Sequence, residues 1–336
     1  MADHKQVFVL VTGATGALGP CVVTKLLDLG YRIRTLSIDE PSDGLFARDV
    51  EVLIGDVTNV QDVRSAMDGI DAVIHLAALL HIVNPPSALQ GKYEKINVDG
   101  TAAVVESAIQ CGVQRVVFFS TIAVYGYTPK QILDEGSPTH PDTFYARTKL
   151  AAEQIVLNAE TADGQPLGTV LRMGAVYGSR IKGNYRRLLQ SLSHGRFIPV
   201  GDGRNRRTLV YEEDAARAAS LAIRHPAGAG KIFNVTDGKF HTMGEIITAI
   251  CSALGRTPPC ISLPVRPVRF IIGILEGLAQ LVGYNFPITR DVIDKYTEDV
   301  RIDGRRIQSQ LGFVAKYDLA AGWRKTIEAM NRSDEL

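Results

Sequence analysis

Short apolar runs alternate with helical patterns along most of the chain. Between two of the apolar runs, residues 101–110 place Val104, Val105, Ala108 and Ile109 at helical intervals. Continuous apolar runs indicate strands that are covered on both faces. The alternation therefore predicts an α/β fold built on a doubly wound parallel sheet. The clearest strand candidates, rich in β-branched residues, are 7–11, 72–76, 116–119, 170–171 and 232–235.

The segment after the first predicted strand reads VTGATGALG and opens a predicted helix. Glycines at this place let the backbone turn sharply and approach a pyrophosphate, whose charge is met by amide groups and the helix dipole. A tight turn is the alternative, but the flanking strand and helix favour a dinucleotide-binding loop. The residues expected to bind the cofactor here are Gly13, Thr15, Gly16, Ala17, Leu18 and Gly19.

A tyrosine stands four positions before a lysine in the stretch TFYARTK. On a helix, Tyr145 and Lys149 share a face and can converge on one point. A phenol has a pKa of about 10, and lowering it by roughly three units needs about 4 kcal/mol of preferential stabilisation of the phenolate. An adjacent ammonium group and a positively charged nicotinamide ring could supply it. Alone, the spacing is typical of a solvated helix face.

Composition narrows the class of partner. The chain has 37 basic and 36 acidic side chains and a net charge of +1, which argues against nucleic acid and an anionic membrane as bulk electrostatic partners. Four cysteines without CxxC spacing suggest neither a disulfide framework nor a zinc site, so no metal is expected. The first residues lack the regions of a signal peptide, and we expect a cytoplasmic protein without a transmembrane segment.

Further motifs follow in order and strengthen the catalytic interpretation of Tyr145. They are GDVT at 55–58, HLAA at 75–78, NVDGT at 97–101, STIAVYG at 120–126, YARTK at 145–149 and LRMGAVYG at 171–178. Over residues 6–325 the chain resembles the extended, nucleotide-sugar-modifying branch of the short-chain dehydrogenase/reductase superfamily. The resemblance implies a Rossmann-type doubly wound parallel sheet with a smaller, interleaved C-terminal α/β substrate domain.

The resemblance also implies roles for single residues. Tyr145 exchanges a proton with the substrate oxygen, Lys149 holds the cofactor ribose and tunes the tyrosine, and Thr121 donates a hydrogen bond. Ser120 is the alternative to Thr121. Asp56 and Val57 flank the adenine, and Asn97 braces the sheet. The cofactor channel is lined by Leu76, Ala77 and Ala78.

The two residues after Thr121 bear on the type of reaction. Sugar-nucleotide dehydratases of this family carry acidic residues there, whereas this chain has Ile122 and Ala123. Without an acid/base pair for elimination, hydride transfer at a carbinol carbon remains, as a 4-epimerase or a 4-ketoreductase. By resemblance, a nucleotide-diphosphate sugar is the expected substrate, with Arg207 gripping the diphosphate and Asn184 and His81 as further contacts.

The preference between NAD and NADP depends on the end of the second strand. The position that is acidic in NAD-preferring relatives is Ser37, followed shortly by Asp39. An acidic group accepts from the ribose 2′-hydroxyl and repels a 2′-phosphate. Arg32 and Arg34 lie within the predicted strand rather than after it. Asp39 therefore favours NAD, and NADP stays possible.

The apolar stretch 263–283 leaves the substrate class open. It is too short and interrupted to span a bilayer, so a buried substrate-domain helix is the first expectation. The alternatives are a lid over a sterol-like or other apolar alcohol, and contact with a membrane surface or partner. A non-catalytic dinucleotide sensor is a third functional hypothesis, against which the intact Tyr145, Lys149 and Thr121 argue.

The domain organisation is expected from the strand and helix pattern together with the family resemblance. We expect residues 1–175 to form the dinucleotide-binding domain, with about 207–235 returning to it. Residues 176–206 and 236–330 would form the substrate-binding region. By resemblance, the helix after Val98 and the helix carrying Tyr145 pack across a two-fold axis, which implies a homodimer.

Overall fold

A computed structural model describes residues 6–80, 89–128, 130–180, 182–281 and 289–332. Its centre is a sheet of seven parallel strands. In chain order they are β1 (Phe8–Thr12), β2 (Arg32–Ser37), β3 (Glu51–Ile54), β4 (Ala72–His75), β5 (Arg115–Thr121), β6 (Gly168–Met173) and β7 (Lys231–Val235). Each predicted strand matches one of these elements to within one residue at its overhanging end, so the predicted parallel sheet is confirmed.

The strands are arranged across the sheet in the order β7-β6-β5-β4-β1-β2-β3. The order therefore reverses between β1 and β4, which pair in parallel from Val9 with Ala72 to Thr12 with His75. In open α/β sheets such a switch point leaves a crevice outside the carboxyl ends of the strands, where ligands bind. The glycine-rich loop follows β1 at this edge.

The helices either cover the two faces of the sheet or form a smaller region beyond it. They are α1 (Gly19–Asp28), α2 (Val60–Met67), α3 (Gln90–Tyr93), α4 (Gly100–Gln110), α5 (Phe144–Leu157), α6 (Asn184–Ser193), α7 (Glu212–Arg224), α8 (Met243–Ala253), α9 (Val265–Leu281), α10 (Arg290–Thr297), α11 (Arg305–Leu311) and α12 (Leu319–Arg332). A π-helical segment, Glu94–Asp99, joins α3 to α4.

Two separate cores follow from the alternation of side chains along β1. Val9 and Val11 point into the cluster beneath α1, α7 and α11, whereas Phe8 and Leu10 point into the cluster beneath α2, α4 and α5. Because both faces of β1 are covered, its five residues are all buried.

A smaller core lies beyond the sheet, where α6, α8 and α12 pack together. Its centre is Trp323, whose ring stacks on Tyr177 with 4.7 Å between centroids. Three short strand pairs connect this region to the sheet region: Ala175–Tyr177 with Leu209–Tyr211, Arg206–Arg207 with His241–Thr242, and Ile132–Leu133 with Arg301–Ile302.

The α11 segment returns to the main sheet late in the chain. Ile307, Leu311 and Phe313 are buried in the cluster that also contains Val22 and Phe233. These residues belong to the stretch that we expected on the substrate side, and they complete one face of the sheet core. The fold thus interleaves its two regions more deeply than the alternation of elements predicts.

The α9 helix departs from the expectation of a buried helix. Ile272 and Ala279 are buried, but Phe270, Ile274 and Leu278 on the outer face are exposed. The expectation is therefore wrong for this face. No helix within the described ranges combines the length and the apolar character needed to cross a membrane.

Candidate active site

The glycine-rich loop lies directly against the end of β4. Gly13 has φ +68°, and a Cβ atom built there would come within 2.7 Å of the Cα atom of Ala77. A larger residue would therefore be strained by its backbone angle, and its Cβ atom would also collide with the backbone of Ala77. This approach explains why glycine stands at the switch point, and it places Ala77 against the loop.

The first turn of α1 fits an anionic group. Leu18 precedes the helix without a side-chain cap, and the first turn contains no acidic residue. The positive end of the helix dipole and the first-turn amides are thus left for a ligand. A Cβ atom on Gly19 would lie 2.0 Å from the Ala14 carbonyl oxygen, so the helix begins as close to the loop as its backbone allows.

A contact that sequence reasoning missed crosses this loop. The guanidinium of Arg180 donates a hydrogen bond to the carbonyl of Thr15 over 3.3 Å. Arg180 follows LRMGAVYGS, so only the fold brings its charge to the glycine-rich loop. The same loop is tied to β2, because the Thr15 amide donates to the Ser37 hydroxyl over 3.2 Å.

Residues expected near the adenine end differ in their surroundings. Asp39 is exposed just after β2. The carboxylate of Asp56 accepts from the amide of Thr58 over 2.9 Å. The side chain of Val57 is buried against Gly100, whose Cβ position lies 3.0 Å from it. Asp56 and Asp39 are therefore available at the surface, whereas the Val57 side chain contributes to the core.

Tyr145 and Lys149 lie on the inner face of α5, which begins at Phe144 after Thr143 caps it by accepting from the Ala146 amide. Lys149 is buried, with its Nζ 3.9 Å from the centroid of the Phe118 ring on β5. Burial lowers the pKa of Lys149 to about 7, against a smaller raising effect of the Glu153 carboxylate.

The phenol of Tyr145 is not activated by the protein alone. Burial raises its pKa to about 12, and the neighbouring Tyr93, at 6.5 Å between ring centroids, raises it further. The lowering that we expected from Lys149 is not found, because desolvation dominates and the ammonium group lies over Phe118. At neutral pH, Tyr145 is therefore a proton donor.

The two hydroxyl candidates differ in what they bond. Ser120 is buried and donates to the Glu153 carboxylate over 2.5 Å. Thr121 ends β5 and uses its oxygen to accept from the Ala123 amide, capping the 3₁₀ helix Ile122–Tyr125. A capping hydroxyl that only accepts keeps its proton for another acceptor. This difference favours Thr121 as the donor to a substrate.

A buried ion pair behind Lys149 was not foreseen. Glu153, one turn after Lys149, accepts bidentate hydrogen bonds from the guanidinium of Arg172 on β6, the shortest over 2.7 Å. Both side chains are almost fully buried. The Arg172 guanidinium also stacks on Tyr125, 4.8 Å from its centroid. The spacing YARTKLAAE could have signalled an acidic partner on the buried face of α5, but only the fold identifies Arg172.

A row of buried hydrogen bonds connects β1, β4 and α4. The Thr101 hydroxyl donates to the Asn97 carbonyl over 2.7 Å, so it accepts from Nε2 of His75 over 3.0 Å. Nδ1 of His75 then accepts from the Thr12 hydroxyl over 2.6 Å. Burial lowers the pKa of His75 to about 3, and the charge of Lys149 adds to this, so the ring is neutral.

Asn97 connects the segment after β4 to α5, whereas the resemblance implied that it braces the sheet. Its side chain donates to the Leu79 carbonyl over 3.2 Å and accepts from the Leu79 amide over 2.8 Å. It also donates over 3.1 Å to Thr148, whose hydroxyl donates to the carbonyl of Tyr145. The π-helical segment turns Asn97 inward to make these bonds.

The residues that were expected to contact the substrate have different surroundings in the structure. Arg207 donates to the carbonyls of Lys295 and Tyr296 and lies 3.7 Å from the Glu298 carboxylate. Burial raises the pKa of Glu298, with a contribution from the charge of Asp142 near the start of α5. Asn184 is exposed as the first residue of α6. His81 lies outside the described residues.

Comparisons with known proteins agree with this geometry. A family model described as the NAD dependent epimerase/dehydratase family matches residues 9–236. An N-acetyl-alpha-D-glucosaminyl-diphospho-ditrans,octacis-undecaprenol 4-epimerase of Escherichia coli O157:H7 is 27% identical over 95% of this chain and 94% of its own. A 3 beta-hydroxysteroid dehydrogenase/Delta 5-->4-isomerase of Mycobacterium tuberculosis is 29% identical over 83% of this chain and 78% of its own.

Among solved structures, MoeE5 in complex with UDP-glucuronic acid and NAD is similar over 97% of this chain and 99% of its own. The TM-score is 0.74 and the sequence identity 26%. The similarity extends through the smaller core as well as the sheet, because it covers almost the whole of both chains.

Proposed function

Because the chain belongs to the NAD-dependent epimerase/dehydratase family, we propose that it transfers hydride at C4 of a nucleotide-diphosphate sugar, as a 4-epimerase or a 4-ketoreductase. The observation that supports this most directly is the placement of Tyr145 and Lys149 on the inner face of α5, beside the end of β5 where Thr121 keeps a hydroxyl proton. The glycine-rich loop lies at the same edge of the sheet.

We further propose NAD as the cofactor, with NADP as the alternative. The loop around Gly13 and the uncapped start of α1 would hold its pyrophosphate, Asp39 its adenosine ribose, and Lys149 its nicotinamide ribose. When bound, NAD supplies a hydride acceptor and, in its oxidised form, a positive charge. The MoeE5 structure, which contains NAD and a UDP-sugar, supports this choice.

In the proposed reduction, Tyr145 donates its phenolic proton to the substrate oxygen while Thr121 donates a hydrogen bond to the same oxygen. In the reverse direction Tyr145 must accept a proton, for which its high pKa is unfavourable. A bound oxidised nicotinamide would supply a positive charge beside the phenolate, and the ammonium form of Lys149 would hold the nicotinamide ribose. Asn97 acts as a positioning residue through Thr148.

The substrate assay separates the two reaction types. The protein is incubated with UDP-sugars and their 4-keto derivatives while reduced nicotinamide is followed by absorbance and sugars are resolved by chromatography. Interconversion of C4 epimers without net absorbance change establishes an epimerase, and stoichiometric oxidation of the nicotinamide establishes a reductase. A Tyr145→Phe variant is the control: it should bind NAD normally and lose about a hundredfold or more of the rate.

A second candidate is a substrate with a large apolar part, either a polyprenol-linked sugar diphosphate or a sterol-like alcohol. The exposed outer face of α9 favours it. The names of the Escherichia coli and Mycobacterium tuberculosis relatives describe substrates of these two kinds. Turnover of a polyprenyl-diphosphate sugar or a sterol in detergent micelles, without turnover of any UDP-sugar, would decide for this candidate.

Three further expectations belong to the same proposal. The substrate would bind between the sheet region and residues 176–206 and 236–330. The protein would act in the cytoplasm. It would form a homodimer through α4 and α5, whose outward sides include the exposed residues Ile109 and Arg147. Sedimentation equilibrium of the wild type and of an Ile109→Arg variant tests the dimer, since a monomeric wild type contradicts it.

A further inference from the structure

The outer face of α9 is a continuous apolar band. Phe270, Ile274 and Leu278 follow one another at intervals of one turn, and Ile271 and Leu275 form a parallel row beside them. Phe270 is 71% exposed, Ile271 54% and Leu278 56%. Soluble proteins carry single exposed apolar side chains commonly, but a contiguous patch marks an interaction site.

The orientation of this band is fixed by the opposite side of the helix. The Arg269 guanidinium binds Asp294 of α10 over 2.7 Å, and Arg290 binds Glu276 over 3.1 Å. These two ion pairs hold α9 and α10 together, while Ile272 and Ala279 are buried. The apolar band therefore faces outward because its helix is anchored from behind.

The apolar surface continues past the start of α9. The amide of Leu263 donates to the Pro199 carbonyl over 2.9 Å, and the Gly201 amide donates to the Leu263 carbonyl over 2.8 Å. Ile198 and Ile261, which flank this pair of segments, are 57% and 76% exposed. Exposed apolar side chains therefore also precede the helix in the chain.

Helix α9 carries two arginines, Arg266 and Arg269, and its neighbour α10 exposes Asp291 and Asp294, of which Asp294 is paired with Arg269. Glu276 is the only acidic residue of α9, and it is turned inward onto Arg290. Arg266 is exposed in the first turn. An amphipathic helix with an apolar face and flanking arginine suits the boundary between anionic headgroups and acyl chains. With 17 residues, α9 is about 25 Å long, and its exposed apolar band from Phe270 to Leu278 covers about 12 Å of that length.

We propose that the outer face of α9 docks on a phospholipid membrane surface that contains anionic lipids. The helix lies parallel to the surface, with Phe270, Ile274 and Leu278 at the acyl boundary and Arg266 among the headgroups. This docking goes beyond the proposed function and holds for a soluble or a lipid-linked substrate. Such docking would also place Arg207 near the membrane, since Arg207 donates to carbonyls at the end of α10, which packs against α9.

Vesicle flotation tests the docking with the full-length protein. Vesicles of phosphatidylcholine alone are compared with vesicles that contain one third phosphatidylglycerol. We expect the wild type to float with the anionic vesicles, and a double variant, Ile271→Asp with Ile274→Asp, to bind them about tenfold or more weakly. Val60→Asp is the matched control, because Val60 is 54% exposed at the start of α2 and should leave binding unchanged.

A second variant keeps the test valid if the double variant does not fold. Arg266→Glu leaves the apolar band intact and should weaken binding to anionic vesicles about fivefold or more. Absence of wild-type flotation overturns the proposal, as does equal flotation of wild type and double variant. A wild-type dimer that the double variant converts to a monomer, without vesicle binding, would instead assign the face to a second copy of this chain. Assays on soluble UDP-sugars test the proposed activity separately.

Discussion

At the scale of single residues, the fold sets the charge state of the active-site groups by burial. Tyr145 is held protonated and Lys149 is brought to a pKa of about 7, far below its ordinary value of 10.5. Lys149 therefore loses its charge as the pH rises through neutrality, whereas an exposed lysine keeps it. The ammonium form that the proposed mechanism needs is favoured on the acidic side of that range.

This gives a pH dependence for the reduction direction. kcat/KM of the wild type should fall about tenfold per pH unit above pH ~7, as the Lys149 ammonium deprotonates. Lys149→Arg keeps a permanent cation and should be slower, but it should lack this alkaline limb. The measurement is the pH profile of kcat/KM for both proteins. The same alkaline limb in the arginine variant would contradict the assignment to Lys149.

His75 should make stability depend on acid pH. Its pKa is lowered from 6.5 to about 3 in the folded protein, so the unfolded chain binds more protons between these values and stability is lost as the pH falls. The loss approaches about 1.4 kcal/mol per pH unit. Urea unfolding at a series of pH values should show this slope for the wild type and a shallower slope for His75→Gln.

His194→Gln is the matched control for this measurement, since His194 is exposed at the end of α6. It should reproduce the wild-type slope. Equal slopes for wild type and His75→Gln would remove His75 as the source of the effect.

At the scale of elements, the site depends on how closely neighbouring segments approach. Local spacing predicted the glycine-rich loop, the Tyr145 and Lys149 pair and the strands, because those patterns are set by neighbours in the sequence. The Glu153–Arg172 ion pair and the contact from Arg180 to Thr15 were missed, since each joins two different elements, 19 and 165 positions apart, rather than neighbours on one element. Arg207 shows the same limit. Its residue type predicted an anionic partner, but in the structure it donates to two backbone carbonyls at the end of α10.

The approach of the glycine-rich loop to β4 gives a prediction with an internal control. Gly13→Ala and Gly30→Ala both place a side chain at positive φ, +68° and +80°. A Cβ atom on Gly13 meets Ala77 at 2.7 Å, whereas nothing lies within 4 Å of one on Gly30. Gly30→Ala should cost about 1 kcal/mol, and Gly13→Ala about 1–3 kcal/mol more.

Urea unfolding measures both free energies, and titration with NAD measures the effect on binding. Weaker NAD binding is expected only for Gly13→Ala. Equal losses of stability in the two variants would show that the loop can move away from Ala77.

At the scale of the whole molecule, the sheet core is completed by a late segment. The matched family region ends at residue 236, yet Phe313 is 1% exposed in the cluster that holds α1 and α7. Sequence alternation could not foresee this return, because α11 is short and no strand of the main sheet adjoins it in the chain. The sheet region therefore has no closed core without this late segment.

Substitution at two adjacent positions tests this dependence. Phe313→Ala should cost about 3–5 kcal/mol through lost burial and a cavity. Val314→Ala, at a position 65% exposed, should change stability by less than about 0.5 kcal/mol. Unfolding in urea, followed by the fluorescence of Trp323 in the smaller core, should report one shared transition. A transition at Trp323 that is unaffected by Phe313→Ala would contradict the interleaved architecture.

The buried row from Thr12 through His75 and Thr101 to Asn97 has a fixed direction, because each hydroxyl donates toward the next acceptor and the last acceptor is a backbone carbonyl. A carbonyl has no proton to pass on, and the neutral ring cannot reverse its tautomer without breaking both of its bonds. Protons therefore cannot pass along this row of hydrogen bonds. Under the proposed function, the proton that Tyr145 donates therefore does not come through this row, which instead holds the neutral His75 ring in one tautomer.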